Sequence, residues 1–274
     1  MEHVSKILLR AALALFLSSA GITQGQTVLG SPPTIVSATG RTLVTPLGYR
    51  IVPVSAQMER APGSVAAWIV PSRLGVRELQ TAYALGLYRA GAWSAGAEVG
   101  SLTMDRYTET SLTTFGCVEL SDQLTAGLAL GYTMARARGF ATEHLLTINA
   151  QMVFLLDSLT AIGVAGSNIG QTRRAGAQSG SVSQFRIGAS RAVASGLLFD
   201  LDLVFPLQTA SGMAAALRWD AAEFLLLRVA YATVPKSLEA SVRLAAIEQF
   251  AVLATVHYHL ALGASPTIGI AYRW

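Results

Sequence analysis

Large apolar residues occupy every second position over long stretches of the chain, with small or polar residues between them. Between Thr125 and Arg136, the large residues are Leu128, Leu130, Tyr132 and Met134. Successive side chains of a β-strand point to opposite faces, so this pattern predicts strands, and the 3.6-residue period of a helix does not fit it. We therefore expect a chain built mainly from β-strands with one apolar face each.

The charged residues follow the same alternation. Asp200 and Asp202 stand on either side of Leu201, so both carboxylates lie on the face opposite to the large apolar side chains. If the apolar face meets lipid, the charges belong in the lumen of a barrel, because a charge facing lipid near the midplane costs about 2–4 kcal/mol. We predict that the following residues line a lumen: Glu98, Arg186, Asp200, Asp202, Arg218, Arg228, Arg243 and His257.

Segments with this alternation recur about fourteen times. They lie near residues 48–57, 78–87, 91–103, 107–120, 124–136, 144–156, 159–168, 181–191, 196–206, 211–219, 223–232, 236–246, 249–259 and 265–274. The short links between them include 88–90, 121–123 and 157–158, and the longer links are 58–77, 137–143 and 169–180. Consecutive links alternate between the two ends of a barrel, so the short links fall at one end and the longer links at the other. Outer-membrane barrels have this arrangement, with an even number of strands and short periplasmic turns.

The composition excludes an ordinary soluble domain. Hydrophobic residues make up 52% of the chain and charged residues 13%, whereas soluble domains carry about 25% charged residues. Beyond residue 20, no uninterrupted apolar run approaches the length of about 20 residues that a membrane-spanning helix needs. A closed barrel is the other way to satisfy backbone hydrogen bonds in lipid. The predicted fold class is therefore all-β, a transmembrane antiparallel β-barrel of about 14 strands.

The first twenty residues have the features of a cleaved export signal. Lys6 and Arg10 supply positive charge, the run 11–17 is apolar, and Ser18 and Ala20 provide small residues for a peptidase. The alternative is an uncleaved anchor. We divide the chain into a signal peptide at 1–20, an N-terminal segment at 21–60 that closes the lumen and includes the first strand, and a transmembrane barrel at 61–274. The expected location is the outer membrane of a Gram-negative bacterium.

The end of the chain carries a second indication of the outer membrane. Its last strand alternates and finishes on an aromatic residue, with Ile268, Ile270, Tyr272 and Trp274 on one face. This pattern looks like the assembly signal that the bacterial outer-membrane insertion machinery recognises. The alternative is the final amphipathic strand of a soluble sandwich.

Candidate chemistry is sparse in this sequence. The chain has one cysteine, Cys117, and four histidines; His257 and His259 share a strand face, but we find no third metal ligand for them. There is no Gly-x-Ser-x-Gly elbow and no run of Lys and Arg that would mark a nucleic-acid site. We expect no enzyme, metal or cofactor, and no nucleic-acid partner. The lumen charges are then either a selectivity lining or ion pairs that fill a closed interior.

Three segments of the chain resemble the PorV/PorQ-like branch of the FadL superfamily of outer-membrane proteins. They are Ala67–Leu74, in which the aromatic residue, the proline and the leucine of a family motif are kept, Met104–Thr110 before a strand, and Phe250–Gly263 in the last hairpin. The Asn-Pro-Ala-Gly core of that motif is absent. The resemblance implies a fourteen-stranded barrel with N-terminal residues folded into or across its lumen. It also implies movement of hydrophobic molecules or a part in type IX protein secretion.

The expected function is transport or protein secretion across the outer membrane. The expected partners are outer-membrane lipid, the insertion machinery, and either secreted cargo proteins or hydrophobic small molecules. Two alternatives remain at this point: a structural or adhesive barrel without a through-pore, and an outer-membrane lipid hydrolase.

Overall fold

The structure is a computed structural model. It describes residues 35–43, 52–58, 61–73, 76–104, 107–169, 172–174, 183–207, 209–247 and 249–274. The predicted signal peptide at 1–20 lies outside the described residues. Within the described ranges, no helix combines the length and the hydrophobicity that crossing a membrane requires.

The described residues form one sheet of fourteen long strands and one strand of three residues. The strands are β1 Gly63–Val70, β2 Gln80–Ala90, β3 Trp93–Met104, β4 Tyr107–Ser121, β5 Leu124–Ala137, β6 Glu143–Leu155, β7 Thr160–Ser167, β8 Thr172–Arg174, β9 Gln184–Ala194, β10 Leu197–Pro206, β11 Gly212–Ala222, β12 Leu225–Thr233, β13 Lys236–Ile247, β14 Phe250–His259 and β15 Gly263–Arg273.

Antiparallel pairing closes the sheet into a barrel. β1 pairs with both β2 and β15, so the first and last strands of the sheet pair with each other. β5 pairs with β6, which leaves no open edge between the two halves. The short β8 pairs with β6 at His144–Leu146, beyond the stretch of β6 that pairs with β7. The predicted fold class, a closed all-β barrel of fourteen strands, is confirmed.

The two-residue alternation separates an outer face from a lumen. In β10, Leu201 and Leu203 are 41% and 47% exposed, whereas Asp200 and Asp202 between and beside them are 1% and 2% exposed. The outer face of the other strands is likewise mainly apolar and exposed, and the inner face is mainly buried. In β10 both carboxylates therefore lie on the inner face.

The strand predicted near residues 48–57 was wrong. Pro53–Met58 forms a 3-10 helix, residues 44–51 lie outside the described residues, and the first described strand is β1, within the predicted link 58–77. Val52, Val54 and Ala56 alternate with Pro53 and Ser55 in the sequence as in a strand, but all five residues are buried. Pro53 cannot donate to a ladder, and the N–H of Val54 donates to Gln151 Oε1 at 2.8 Å instead of to a neighbouring strand.

The connections divide the barrel into two ends. One end has the two-residue turns 91–92, 122–123, 195–196, 223–224 and 248–249, together with the C-terminus. The other end has the longer connections 71–79, 138–142 and 168–183, as the sequence predicted, although the connections 105–106 and 234–235 at this end are short too. We call these the short-turn end and the long-connection end.

Candidate functional site in the barrel lumen

Residues 35–43, which we call the lumenal segment, lie inside the barrel against β7 and β9–β13. Ala38 N donates to Asp202 Oδ1 at 3.0 Å, and Arg186 Nη1 donates to the carbonyl of Val36 at 2.5 Å. These bonds join side chains of the wall to backbone groups of the segment. A buried backbone group needs such a partner when it has no strand beside it.

Asp200 makes the largest set of bonds to the lumenal segment. Its Oδ1 accepts from Thr39 Oγ1 at 2.9 Å, and its Oδ2 accepts from Thr42 Oγ1 at 2.6 Å and from Thr42 N at 3.3 Å. The carboxylate is thus bound by two hydroxyls and one amide from the same turn. Gly40 lies inside this turn at a φ of 68°, a conformation that favours glycine.

Arg228 and Glu239 hold the beginning of the segment. Both side chains are 1% exposed and form an ion pair. Arg228 Nη2 also donates to the carbonyl of Ile35, and Glu239 Oε2 accepts from Ile35 N at 2.6 Å. His257 Nδ1 lies 3.7 Å from the second oxygen of Glu239. The pair is neutral overall and satisfies both backbone groups of one residue, which makes the burial of two charges tolerable.

Arg218 holds the end of the segment near the short-turn end of the barrel. Its Nη1 donates to the carbonyl of Arg41 at 3.1 Å, and its Nε lies 2.9 Å from Asp220 Oδ1. Arg243 is half-buried on the inner face, and among the described residues we find no hydrogen bond from it to the segment. Five of the eight predicted lumen residues therefore hold residues 35–42: Arg186, Asp200, Asp202, Arg218 and Arg228.

Two residues of this site were not among the predicted ones. Glu239 lies on the inner face by the same alternation, and Gln151 is a neutral residue at an inward position of β6. Gln151 Nε2 donates to the carbonyl of Ala38 at 2.8 Å, while its Oε1 accepts from Val54 N. It thereby joins the lumenal segment to the 3-10 helix. Charge alone does not indicate Gln151, although the alternation of β6 places it inward.

Glycines on the inner face make room for the segment. A Cβ at Gly163 would collide with the Ala38 carbonyl and lie 2.6 Å from Thr39 N. A Cβ at Gly188 would collide with the carboxylate of Asp202. The backbone of the segment therefore approaches β7 more closely than any residue other than glycine allows.

We call the residues Arg186, Asp200, Asp202, Arg218, Arg228 and Glu239 the polar wall. The opposite side of the lumen differs: Trp68, Tyr83, Leu85, Leu87 and Phe115 on β1, β2 and β4 are buried and face inward. We call these five residues the apolar wall.

The apolar wall and the 3-10 helix share one buried cluster, in which the helix lies nearest to β4. The rings of Trp68 and Tyr83 stack with centroids 5.6 Å apart, and Val54 and Ala56 belong to the same buried cluster. Glu98, the remaining acidic residue that we predicted in the lumen, lies at this wall: it is 1% exposed and stands opposite Leu85 and Thr113. The structure therefore places Glu98 in the lumen but away from the polar wall.

The predicted assembly signal lies on β15. Ile268, Ile270 and Trp274 are 55%, 59% and 51% exposed on the outer face, and Tyr272 is half-buried beside Phe250. Their recognition by the insertion machinery stays a prediction. In the part of the chain that the structure describes, no three His, Cys, Asp or Glu residues are grouped as a metal site would require.

The barrel is similar to solved structures of outer-membrane channels. The toluene transporter TbuX of Ralstonia pickettii matches with a TM-score of 0.62 at 11% identity, over 92% of this chain and 98% of that chain. The monoaromatic hydrocarbon channel CymD matches with a TM-score of 0.61 at 9% identity, over 91% and 99%. The P. putida toluene transporter TodX matches with a TM-score of 0.59 at 8% identity, over 89% and 99%.

This chain has the fold of those hydrocarbon channels. No protein-family model and no curated protein matches the sequence. At identities of 8–11%, the likeness concerns the fold. The resemblance to the PorV/PorQ-like branch stays a prediction.

Proposed function

We propose that this chain is an outer-membrane channel for hydrophobic small molecules. The observation that carries the proposal is the apolar wall, because a channel for polar solutes has a polar interior. The fold shared with channels described as toluene and monoaromatic hydrocarbon transporters supports the same class of substrate.

The outer surface supports a position in a membrane. Phe250 and Tyr258 are both exposed on the outside of β14, about 27 Å apart along an extended strand. Strand tilt reduces this span to roughly 20 Å, close to the apolar band of about 25 Å in outer-membrane barrels. Exposed aromatic residues lie near both rims, as interfacial belts do. They are Tyr88, Trp93, Trp219, Phe224, Phe250 and Trp274 at the short-turn end, and Tyr132, Tyr231 and Tyr258 toward the other end.

The two parts of the N-terminal region give the proposed channel a closed state. The polar wall holds the lumenal segment through directional bonds, while Val54 and Ala56 cover the apolar wall. Apolar packing is not directional, so among the described residues a shift of the helix along this wall breaks only its bonds to Gln151 and to the carbonyl of Gly40. We infer that such a shift exposes the apolar wall to a hydrophobic molecule.

A substitution that fills the apolar side of the lumen tests the proposal. Ala129 is 1% exposed on the inner face of β5 beside this wall, and Ala126 lies on the outer face of the same strand. Cells that produce the wild-type protein should take up labelled toluene faster than cells without it. We expect Ala129→Trp to remove at least half of this gain and Ala126→Trp to keep it. Equal uptake in all these strains would contradict the proposal.

Protein secretion is a second candidate. The residues that resemble the PorV/PorQ-like branch, near 67–74 and 104–110, both lead into connections at the long-connection end, where a secreted cargo protein would dock. If this role applies, detergent-extracted barrel should carry a secreted protein, and Ala129→Trp should leave its amount unchanged. Absence of such a protein together with toluene uptake would favour the channel.

A further inference from the structure

The outward-facing charges of the barrel are unevenly placed. Arg136, His144 and Lys236 lie on the outer face at the long-connection end, and Arg191 lies on the outer face near the short-turn end. In the described strands, no Asp or Glu occupies an outward position. The outer surface of the described strands therefore carries basic residues without acidic ones, and most of these basic residues lie at one rim.

Arg136 and His144 are neighbours on adjacent strands. His144 stands opposite Met134, and Arg136 lies two residues further along β5 on the same face. Such diagonal neighbours have Cα atoms about 7–8 Å apart. Arg138, which is exposed, begins the connection that follows β5. Three basic residues therefore lie in the same part of the rim.

Tyr132 fixes the orientation of the histidine ring. The Tyr132 hydroxyl lies 2.6 Å from His144 Nδ1, and the two rings stack with centroids 5.9 Å apart. When the hydroxyl donates to Nδ1, the ring proton resides on Nε2, which becomes a donor toward a further group. Among the described residues we find no hydrogen bond or ion pair of Arg136, of Arg138 or of His144 Nε2.

The surface below this cluster is apolar. Leu128, Leu130, Leu146 and Ile148 are 48%, 51%, 51% and 39% exposed on the outside of β5 and β6. If the barrel lies in the outer membrane as proposed above, the cluster stands just beyond the hydrocarbon, at the depth of lipid headgroups. Arginine binds phosphate oxygens through a planar pair of N–H donors.

We propose that Arg136, Arg138 and His144 form a binding site for the phosphate groups of the glycolipid that makes up the outer leaflet. Outer-membrane barrels have their short turns in the periplasm, so the long-connection end meets the outer leaflet. The position of the basic residues favours the lipid of that leaflet, because the outer face near the short-turn end carries the single described cation Arg191. The acyl chains of the same molecule would lie on the apolar surface formed by Leu128, Leu130, Leu146 and Ile148.

The experiment measures binding of bisphosphorylated lipid A to purified full-length protein in detergent, by native mass spectrometry. Each basic residue near a lipid surface is worth roughly fivefold in binding, so we expect Arg136→Gln with Arg138→Gln to weaken binding about 25-fold. Arg191→Gln removes an outward cation at the other rim and should leave binding unchanged. Heat-modifiable gel migration verifies that each variant folds. If the double variant does not fold, the single variant Arg138→Gln replaces it, because Arg138 lies in a connection.

Two further ligands identify the source of the phosphate. Lipid A without phosphate should bind about as weakly as the double variant, and inorganic phosphate at millimolar concentration should not displace the intact lipid. Equal binding by wild type and double variant would overturn the proposal. Equal binding of phosphorylated and dephosphorylated lipid would also overturn it. The same holds if a second copy of the chain or another protein occupies the rim and the double substitution releases it.

The proposed channel function can fail separately. Absence of the protein from the outer-membrane fraction, or absence of toluene uptake, would count against that function. The lipid measurement on purified protein would still give an answer about this rim.

Discussion

The polar and apolar walls of the lumen arise from the same two-residue alternation but hold the N-terminal region in different ways. The polar wall binds backbone groups of the lumenal segment, as Asp202 does with Ala38 N. The apolar wall buries Val54 and Ala56 of the 3-10 helix. Hydrogen bonds with charged groups fix a register, whereas apolar contacts depend on buried area.

This difference indicates a division of labour within the lumen. Breaking a contact of the polar wall leaves a charge or an amide without a partner, which is costly in a buried site. Loosening the apolar contact costs the buried area that is lost and the neutral hydrogen bonds of the helix to Gln151 and Gly40, but it leaves no charge without a partner. We expect the lumenal segment to be the fixed part of the closure and the 3-10 helix to be the part that opens more readily.

The largest effect is expected from Arg228→Met. The change leaves the Glu239 carboxylate buried without its cation, and removing one partner of a buried pair costs about 3–5 kcal/mol. Hydrogen exchange of residues 35–37 should show a fall of this size in the free energy of local opening. The double variant Arg228→Met with Glu239→Leu is the control, because removing both charges should restore most of the loss. A single variant as protected as wild type would show that the pair does not hold the segment.

Asp200→Asn should have the next largest effect. The amide retains one acceptor oxygen but loses the charge that three donors of Thr39 and Thr42 share, and a hydrogen bond to a charged group is worth about 1.5–3 kcal/mol. Protection from exchange at residues 39–42 should fall by about this amount. Asp220→Asn, whose side chain is 45% exposed beside Arg218, should change it by less than about 1 kcal/mol. Similar losses in both variants would mean that burial does not matter here.

Gly163→Ala tests the close approach of the segment to the wall. The new methyl group collides with the backbone of Ala38 and Thr39, and overpacking costs about 1–3 kcal/mol. Protease cleavage within the lumenal segment should become faster. Gly86→Ala is the control, since no atom lies within 4 Å of its added Cβ. If both alanine variants resist protease as well as wild type does, the proposed difference between the polar and apolar walls is contradicted.

The smallest effect is expected from Val54→Ala on the apolar wall. Removing two buried methyl groups costs about 1–2 kcal/mol. Hydrogen exchange should accelerate for residues 52–58 while residues 35–43 stay protected, because the polar wall is unchanged. Loss of protection in both parts would show that they open together, contrary to the proposed division.

Sequence reasoning worked best where one face of a strand is clearly polar. In β10 the carboxylates of Asp200 and Asp202 mark the inner face without ambiguity. In β1, by contrast, Trp68 and Val70 face inward while Ile69 faces outward, so both faces are apolar and the alternation is hidden. The strand was therefore missed and assigned to a long link. The 3-10 helix at 53–58 was predicted as a strand because Val52, Val54 and Ala56 occupy alternate positions in the sequence, although residues 52–56 are all buried.

The pattern of residues along the chain was sufficient to determine thirteen of the fourteen long strands and a closed barrel, because the alternation and the hydrogen-bonding demand of the backbone are local properties. Only the tertiary structure decided what the inner charges bind. Asp200 meets Thr39 and Thr42, which precede it by 161 and 158 residues. A charged residue inside a barrel can pair across strands or hold an inserted segment. Its local sequence does not show which of the two it does. Contacts at that separation depend on how the whole chain folds around the lumen.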